Sequence, residues 1–254
     1  MSDNQLTQTE GGYAVDPGAP SYELVINMLL QLLRPRTYFE IGTSAGTSLA
    51  LPECHCIAVD VDFKIEKNVI GRKPVCHFFQ MASDRFFRDY SPIDFFKAPI
   101  DMAFLDGMHL FEFLLRDFAK TEKFCRPNSV IMLHDCIPSD RFMTVRREGD
   151  MEQRNQSIVP GWWTGDVWKA VVILNKYRPD LRIYPVNTPP TGLILVTGLD
   201  PTSTALEKNH FSIVEEFSSG APTEPSLDEY LRTLEMIHPT ELDTIPKIAR
   251  YLWM

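Results

Sequence analysis

The stretch Tyr38-Phe39-Glu40-Ile41-Gly42-Thr43-Ser44-Ala45-Gly46-Thr47-Ser48 constrains this chain more than any other. It runs from apolar residues through an acid into two glycines four apart, and then into hydroxyl side chains. Residues 37–41 read as a short buried strand, and 42–48 as a tight turn opening a helix. Glycine suits such a turn because it accepts positive φ and has no Cβ to obstruct a ligand. A helix start would add unpaired N–H groups facing that ligand. Glu40 brings a carboxylate to the same place, which favours a ligand carrying positive charge over a pyrophosphate. The three-glycine dinucleotide pattern is absent, since no third glycine follows Gly42 and Gly46 at the required step.

Further strands follow at 56–61, 75–79, 100–106 and 129–133, each an apolar run. The helix of Phe111, Leu114, Leu115 and Phe118 shows why the connections read as crossovers and the strands as parallel. Segments 181–185 and 193–197 are joined through Pro189-Pro190, too closely for a helical crossover, so that last pair is antiparallel. The expected fold is α/β, a Rossmann-like doubly wound sheet, mostly parallel with an antiparallel last strand, plus a C-terminal helical appendage. Residues 1–20, polar and rich in Gly and Pro, read as a flexible N-terminal tail. The sheet domain takes 21–198. The appendage takes 199–254 and packs on the same domain, with Ser226 and Glu229 forming a capping box.

Composition narrows the function classes. The formal charge of −9 argues against nucleic acid or an anionic membrane as the main partner. Arg146-Arg147 is the one basic pair that stands out. Five cysteines, odd in number, fit no disulfide or zinc spacing, and Cys54-His55-Cys56 opens a strand. They read as free thiols of a reducing compartment. With no apolar leader and no bilayer-length apolar run, a cytoplasmic location is expected.

Ligands of open α/β sheets bind outside the carboxyl ends of the strands. Those ends carry, in order, Glu40, Asp60, Ser83 with Asp84, Asp106 with His109, and His134-Asp135. Asp60, about 20 residues beyond the first strand, is placed to accept hydrogen bonds from ribose hydroxyls. Ser83 and Asp84 lie where the base of a bound nucleoside would fall. Aspartate also caps turns after strands, so any one of these is a weak signal. Polar or acidic residues on five successive strand ends are a constellation.

The chain resembles class I S-adenosylmethionine-dependent methyltransferases, with residues 38–46 as the first motif and Asp60 as the second. Phe104-Leu105-Asp106-Gly107-Met108-His109 and Leu133-His134-Asp135 resemble the branch of metal-dependent O-methyltransferases acting on sugars and other small molecules. The resemblance covers about residues 22–198 and implies several roles. Glu40 and the loop of Gly42, Thr43, Ser44 and Gly46 would hold the methionine end of the cofactor. Asp60 would hold its ribose, with Ser83, Asp84 and Asp106 completing the pocket. Asp106, His134 and Asp135 would bind a divalent metal, and His109 would be the general base. His134 departs from the pattern, because the sugar enzymes carry a second carboxylate there. The implied metal is Mg²⁺, with Mn²⁺ or Fe²⁺ also suited by an imidazole.

The function expected is therefore metal-assisted O-methylation of a hydroxyl on a small glycosidic or secondary-metabolite acceptor. Self-association is left open. Two alternatives stand beside it: a nucleotide- or nicotinamide-binding oxidoreductase on a similar sheet, and a non-catalytic cofactor-binding protein.

Overall fold

The structure is a computed structural model that describes residues 8–9, 12–13 and 15–252. Seven strands form one sheet: β1 (Thr37–Ile41), β2 (His55–Asp60), β3 (Cys76–Gln80), β4 (Ile100–Leu105), β5 (Cys125–His134), β6 (Arg182–Val186) and β7 (Leu193–Thr197). Their order is β3-β2-β1-β4-β5-β7-β6. All neighbours are parallel except that β7 runs antiparallel to both β5 and β6. This is the doubly wound sheet with an antiparallel last strand that the sequence predicts. The strand order reverses between β1 and β4, and a crevice opens at such a switch point.

The central strands are mostly apolar because both faces of the sheet are covered. On one face lie α3 (Phe111–Glu122) and α4 (Trp168–Tyr177), with Phe118, Ala170, Ile173 and Leu174 packed against Phe39, Ala103 and Ile131. The other face is covered by α1 (Tyr22–Leu33) and the C-terminal segment, which bring Val25, Leu29, Leu242 and Ile248 onto Tyr38, Phe104 and Met132. Residues 199–252 thus contribute to both cores. The helix α5 (His210–Phe217) and the helix α6 (Leu227–Thr233) add Ile213, Phe217, Tyr230 and Leu231 to the first. Ser226 caps α6 as expected, accepting from the Glu229 amide. Beyond α6 the chain is extended, and Ile237 bridges Val186 on the edge strand β6. That covers a strand edge that would otherwise be open.

Two expectations change. No regular helix follows the glycine turn, where the chain makes successive turns between Ile41 and His55. Gly46 is left-handed at φ +83° and Pro52 lacks an amide hydrogen, so a continuous helical ladder has no room to start. Any ligand here meets loop amides rather than a helix terminus. The expected tail of 1–20 falls partly outside the described residues, but its last part is anchored. Val15 is buried, the Asp16 amide donates to Asn187 Oδ1 at 2.8 Å, and Thr188 Oγ1 donates to the Pro20 carbonyl. Among the described residues no helix is long and apolar enough to cross a membrane.

The close approach of β1 and β4 depends on one residue. Gly42 has φ +83°, and a Cβ built there would lie 1.9 Å from the carbonyl oxygen of Asp106. The Asp106 amide donates to Ile41 O at 2.8 Å, which locks these two strand ends together, and the Gly42 amide donates to Val59 O of β2 at 3.0 Å. Gly42→Ala is expected to lower stability by at least about 1–3 kcal/mol, the cost of a strained left-handed residue plus the displaced backbone. Chemical denaturation measures this, and an unchanged midpoint would show that the strand ends can part without cost.

Candidate functional site

A cavity of about 680 Å³ opens at the carboxyl ends of β1, β2, β3 and β4. Gly42, Thr43, Ser44, Asp60, Ser83, Asp84, Asp106 and His109 all line it, so eight of the residues singled out from the sequence share one hollow. The glycine loop is held over β2 by Asp60, whose Oδ2 accepts the Ser44 amide at 2.7 Å and whose Oδ1 accepts the Asp62 amide at 2.9 Å. Ser83 starts α2 (Ser83–Asp89), and Asp84 is paired with Arg116 at 2.7 Å.

Four expected residues do not line the cavity. Gly46 turns away, packed against Val69 and Ile65. Glu40 is fully buried beneath the loop, where Tyr38 Oη donates to its Oε2 at 2.8 Å while Oε1 has no hydrogen-bond partner. It supports the loop from below. His134 and Asp135 lie behind Asp106, only 6% and 5% exposed.

Those last two complete a compact cluster. His134 Nδ1 lies 3.2 Å from Asp106 Oδ1 and 3.5 Å from Asp135 Oδ1. His109 Nε2 lies 3.3 Å from Asp106 Oδ1 and 3.4 Å from Asp135 Oδ2. Asp106 Oδ1 and both ring nitrogens of His134 are buried without a hydrogen-bond partner. Ligand atoms of Asp106, His134 and Asp135 all fall within 4.8 Å of one another. Buried donors and acceptors that converge yet stay unpaired are costly unless a further group satisfies them. The donor set, two carboxylates and an imidazole, fits a divalent cation.

The cluster's electrostatics follow from its composition. Burial disfavours the charged imidazole at both histidines, but Asp106 and Asp135 outweigh it and push each up to about 9. Burial likewise opposes a charged Asp106, yet His134 and then His109 hold its carboxyl well below the ordinary range. The orientation of His109 is set from outside the cluster. Its Nδ1 lies 2.8 Å from the Trp163 carbonyl, an acceptor only, so Nδ1 carries the hydrogen and Nε2 faces the acids. Trp163 belongs to a long insertion, residues 138–165, between β5 and α4, and lines the cavity, with its ring 5.0 Å from that of His109 and its Nε1 donating to Val145 O at 2.6 Å. Trp162 is 43% exposed and outside the cavity. Arg146 pairs with Glu112 and Asp166, so it forms no basic patch with Arg147.

Sequence reasoning missed three side chains. Asp117 on α3 is buried but lines the cavity beside Ser83 and Phe113, and burial pushes its carboxyl up to about 7. Its signal was the spacing of four from Phe113, a second face of α3 opposite the apolar one. Tyr22 lines the cavity with its ring 4.1 Å from that of His134. Thr191 Oγ1 donates to Asp135 Oδ1 at 2.5 Å, and a contact between residues so far apart in sequence leaves no local signal.

Glu40 generates a pH expectation. Burial raises its carboxyl to about 7, against the opposing hydrogen bond of Tyr38 and the nearby hydroxyls of Thr43 and Ser48. Its unfolded value is about 4.3. Between these values the folded state keeps a proton that the unfolded state loses, so stability falls as pH rises. Glu40→Gln removes that slope and gains stability relative to the parent above about pH 7. Denaturation midpoints across this range measure it, and parallel pH profiles for the two proteins would mean that Glu40 is ionised in place.

Residues 39–136 match the family model described as a methyltransferase domain. No curated protein matches the sequence. Among solved structures, the chain is similar to the O-methyltransferase TomG from Streptomyces achromogenes, in complex with S-adenosylmethionine. The identity is 17%, with 69% of this chain and 78% of TomG covered and a TM-score of 0.45. It is also similar to an O-methyltransferase from Bacillus cereus in complex with S-adenosylhomocysteine, at 18% identity, 72% and 83% coverage and a TM-score of 0.43. A third is the Podospora anserina methyltransferase PaMTH1, at 12% identity, 70% and 77% coverage and a TM-score of 0.46. The matched segment runs from the middle of β1 through β5 and holds the glycine loop and Asp60, together with all four members of the acid–histidine cluster. Residues 39–136, which carry most of the proposed site, are thus similar to a methyltransferase domain.

Proposed function

We propose that the protein transfers the methyl group of S-adenosylmethionine to a hydroxyl oxygen of a small glycosidic or secondary-metabolite acceptor, at a site that holds a divalent cation. The observation that carries this reading is the convergence of Asp106, His134 and Asp135 at the wall of a cavity large enough for cofactor and acceptor, with Asp106 Oδ1 and both His134 ring nitrogens left without hydrogen-bond partners. Asp106, His134 and Asp135 would hold the cation, Mg²⁺ or, given the imidazole, Mn²⁺ or Fe²⁺. When bound, such an ion lowers the pKa of a hydroxyl beside it and stabilises the alkoxide.

The chain's own residues supply the rest. The loop 42–48 and Asp60 bind the nucleoside and methionine parts, and the acidic lining suits the positive sulfonium. The sulfonium methyl is already activated, so the protein's task is to align it with the incoming oxygen. Asp117 and Ser83 offer polar groups at the end of the cavity where the adenine would lie. His109 borders both the cavity and the cluster, with Nδ1–H committed to Trp163 and Nε2 available. The carboxylates that raise its pKa are the proposed ligands, so neutralising them leaves Nε2 free to accept the acceptor's proton. Trp163 and Tyr22 wall the site against water, and the Trp163 face is suited to stacking on a sugar ring. A nicotinamide role finds no support, because the third glycine and the helix terminus it would open are both missing.

Calorimetry with S-adenosylhomocysteine tests the reading. Wild-type protein should bind it, and Asp60→Ala should weaken binding by about 1.5–3 kcal/mol, the scale of hydrogen bonds to a charged group. His109→Ala should bind as the parent does while kcat falls by about 10²–10⁴-fold. No heat of binding at millimolar ligand would end the methyltransferase assignment of this cavity. A normal kcat for His109→Ala would move the base elsewhere.

A further inference from the structure

At the opposite end of the sheet, three cysteines meet at the starts of β2 and β3. Cys56 and Cys76 are in-register partners on these parallel strands. Neighbouring strands lie about 4.8 Å apart, inside the span of about 4.4–6.8 Å between Cα atoms that a disulfide bridges. Both side chains, and that of Cys54, pack into one apolar cluster with Leu49 and Val69, so all three lie on the same face. Cys54 lies in the bend that precedes β2, outside the paired register of the two strands. The in-register pair is the one geometry favours.

The two thiols differ in access. Cys56 is fully buried, while Cys76 is half-buried on the edge strand β3. Three residues before Cys76 sits Lys73, only 8% exposed, whose Nζ has no hydrogen-bond partner. A buried, unpaired ammonium is costly and is relieved by an anion. Its charge acts on all three thiols, and the Cys76 thiol is drawn below its ordinary value, first by the Cys56 thiol and against burial, with Lys73 assisting. The methyl-transfer site uses none of these groups.

We propose that Cys76 and Cys56 form a peroxide-reactive dithiol, with Cys76 as the attacking thiol and Cys56 as the resolving one. The Cys76 thiolate attacks one oxygen of hydrogen peroxide and the O–O bond breaks, giving a sulfenic acid and hydroxide. Cys56 then attacks that sulfur, the S–O bond breaks, and water leaves as the disulfide forms. Two thiols lose two electrons and two protons, and peroxide is reduced to two waters.

The test is hydrogen peroxide added to the full-length protein, followed by peptide mapping under non-reducing conditions. One equivalent should remove two thiols, join the Cys56 and Cys76 peptides, and lower their summed mass by about 2 Da, the two hydrogens lost. Cys54→Ser should behave as the parent, while Cys76→Ser should form no bridge. Lys73→Met should bridge about tenfold more slowly, because less of the Cys76 thiol ionises without the ammonium. Three results with the parent protein overturn the proposal: a Cys54–Cys56 bridge, oxidation of Cys76 to sulfinic acid with Cys56 still free, or no bridge at all. Lys73→Met bridging at the parent rate would remove the ammonium's role and overturn it as stated.

Discussion

The contact on which this structure depends is the backbone approach of Gly42 to Asp106. Two parallel strands end side by side, and the chain leaves one of them through a left-handed glycine because a Cβ would strike the neighbouring carbonyl. That approach puts the glycine loop and the first acid of the cluster on adjacent walls of one cavity. A second approach of the same kind fixes the far wall. Gly165, at φ +56°, passes so close to the His109 carbonyl that a Cβ would lie 1.7 Å from it. The insertion therefore returns directly over His109, and its Trp163 carbonyl sets the imidazole's tautomer.

Asp135 is held by a different device. Its φ of +60° is unusual for any residue but glycine, though aspartate tolerates it better than most. The loop after β6 over-determines that conformation, with the Thr191 hydroxyl on its carboxylate and the Thr191 carbonyl accepting from Ile137 N. The same loop binds the N-terminal segment through Asn187, Thr188 and Pro189. Such backbone strain persists when its surroundings hold it in place. Here the holding loop is the turn between β6 and β7, the antiparallel pair added beyond β5.

Much of this was legible in the sequence, for reasons that can be named. Buried parallel strands are mostly apolar, so an acid at the end of one stands out, and Asp60, Asp106 and Asp135 are singled out that way. The close spacing of residues 181–197 settled the direction of the last pair, because no crossover fits. Glu40 misled because a strand-end acid facing a ligand and one tucked beneath the loop share the same local pattern. The helix expected after Gly42 failed because turn chemistry at Gly46 and Pro52 prevailed over the start signal. Asp117 was hidden by a reading that followed only the apolar stripe of its helix. Thr191 and the Trp163 carbonyl act through tertiary contacts, which no local pattern records.

The central claim is that Asp106, His134 and Asp135 form a cation site whose ligands are laid out by the sheet rather than by the cofactor. Titration of the protein with Mn²⁺, followed by electron paramagnetic resonance in the absence of cofactor, addresses it most directly. The account expects a single bound ion in the parent and an affinity lower by at least about 10–100-fold in Asp135→Asn and in His134→Gln, with S-adenosylhomocysteine binding kept in both. Equal Mn²⁺ binding by the parent and both variants, or none by the parent, would contradict it.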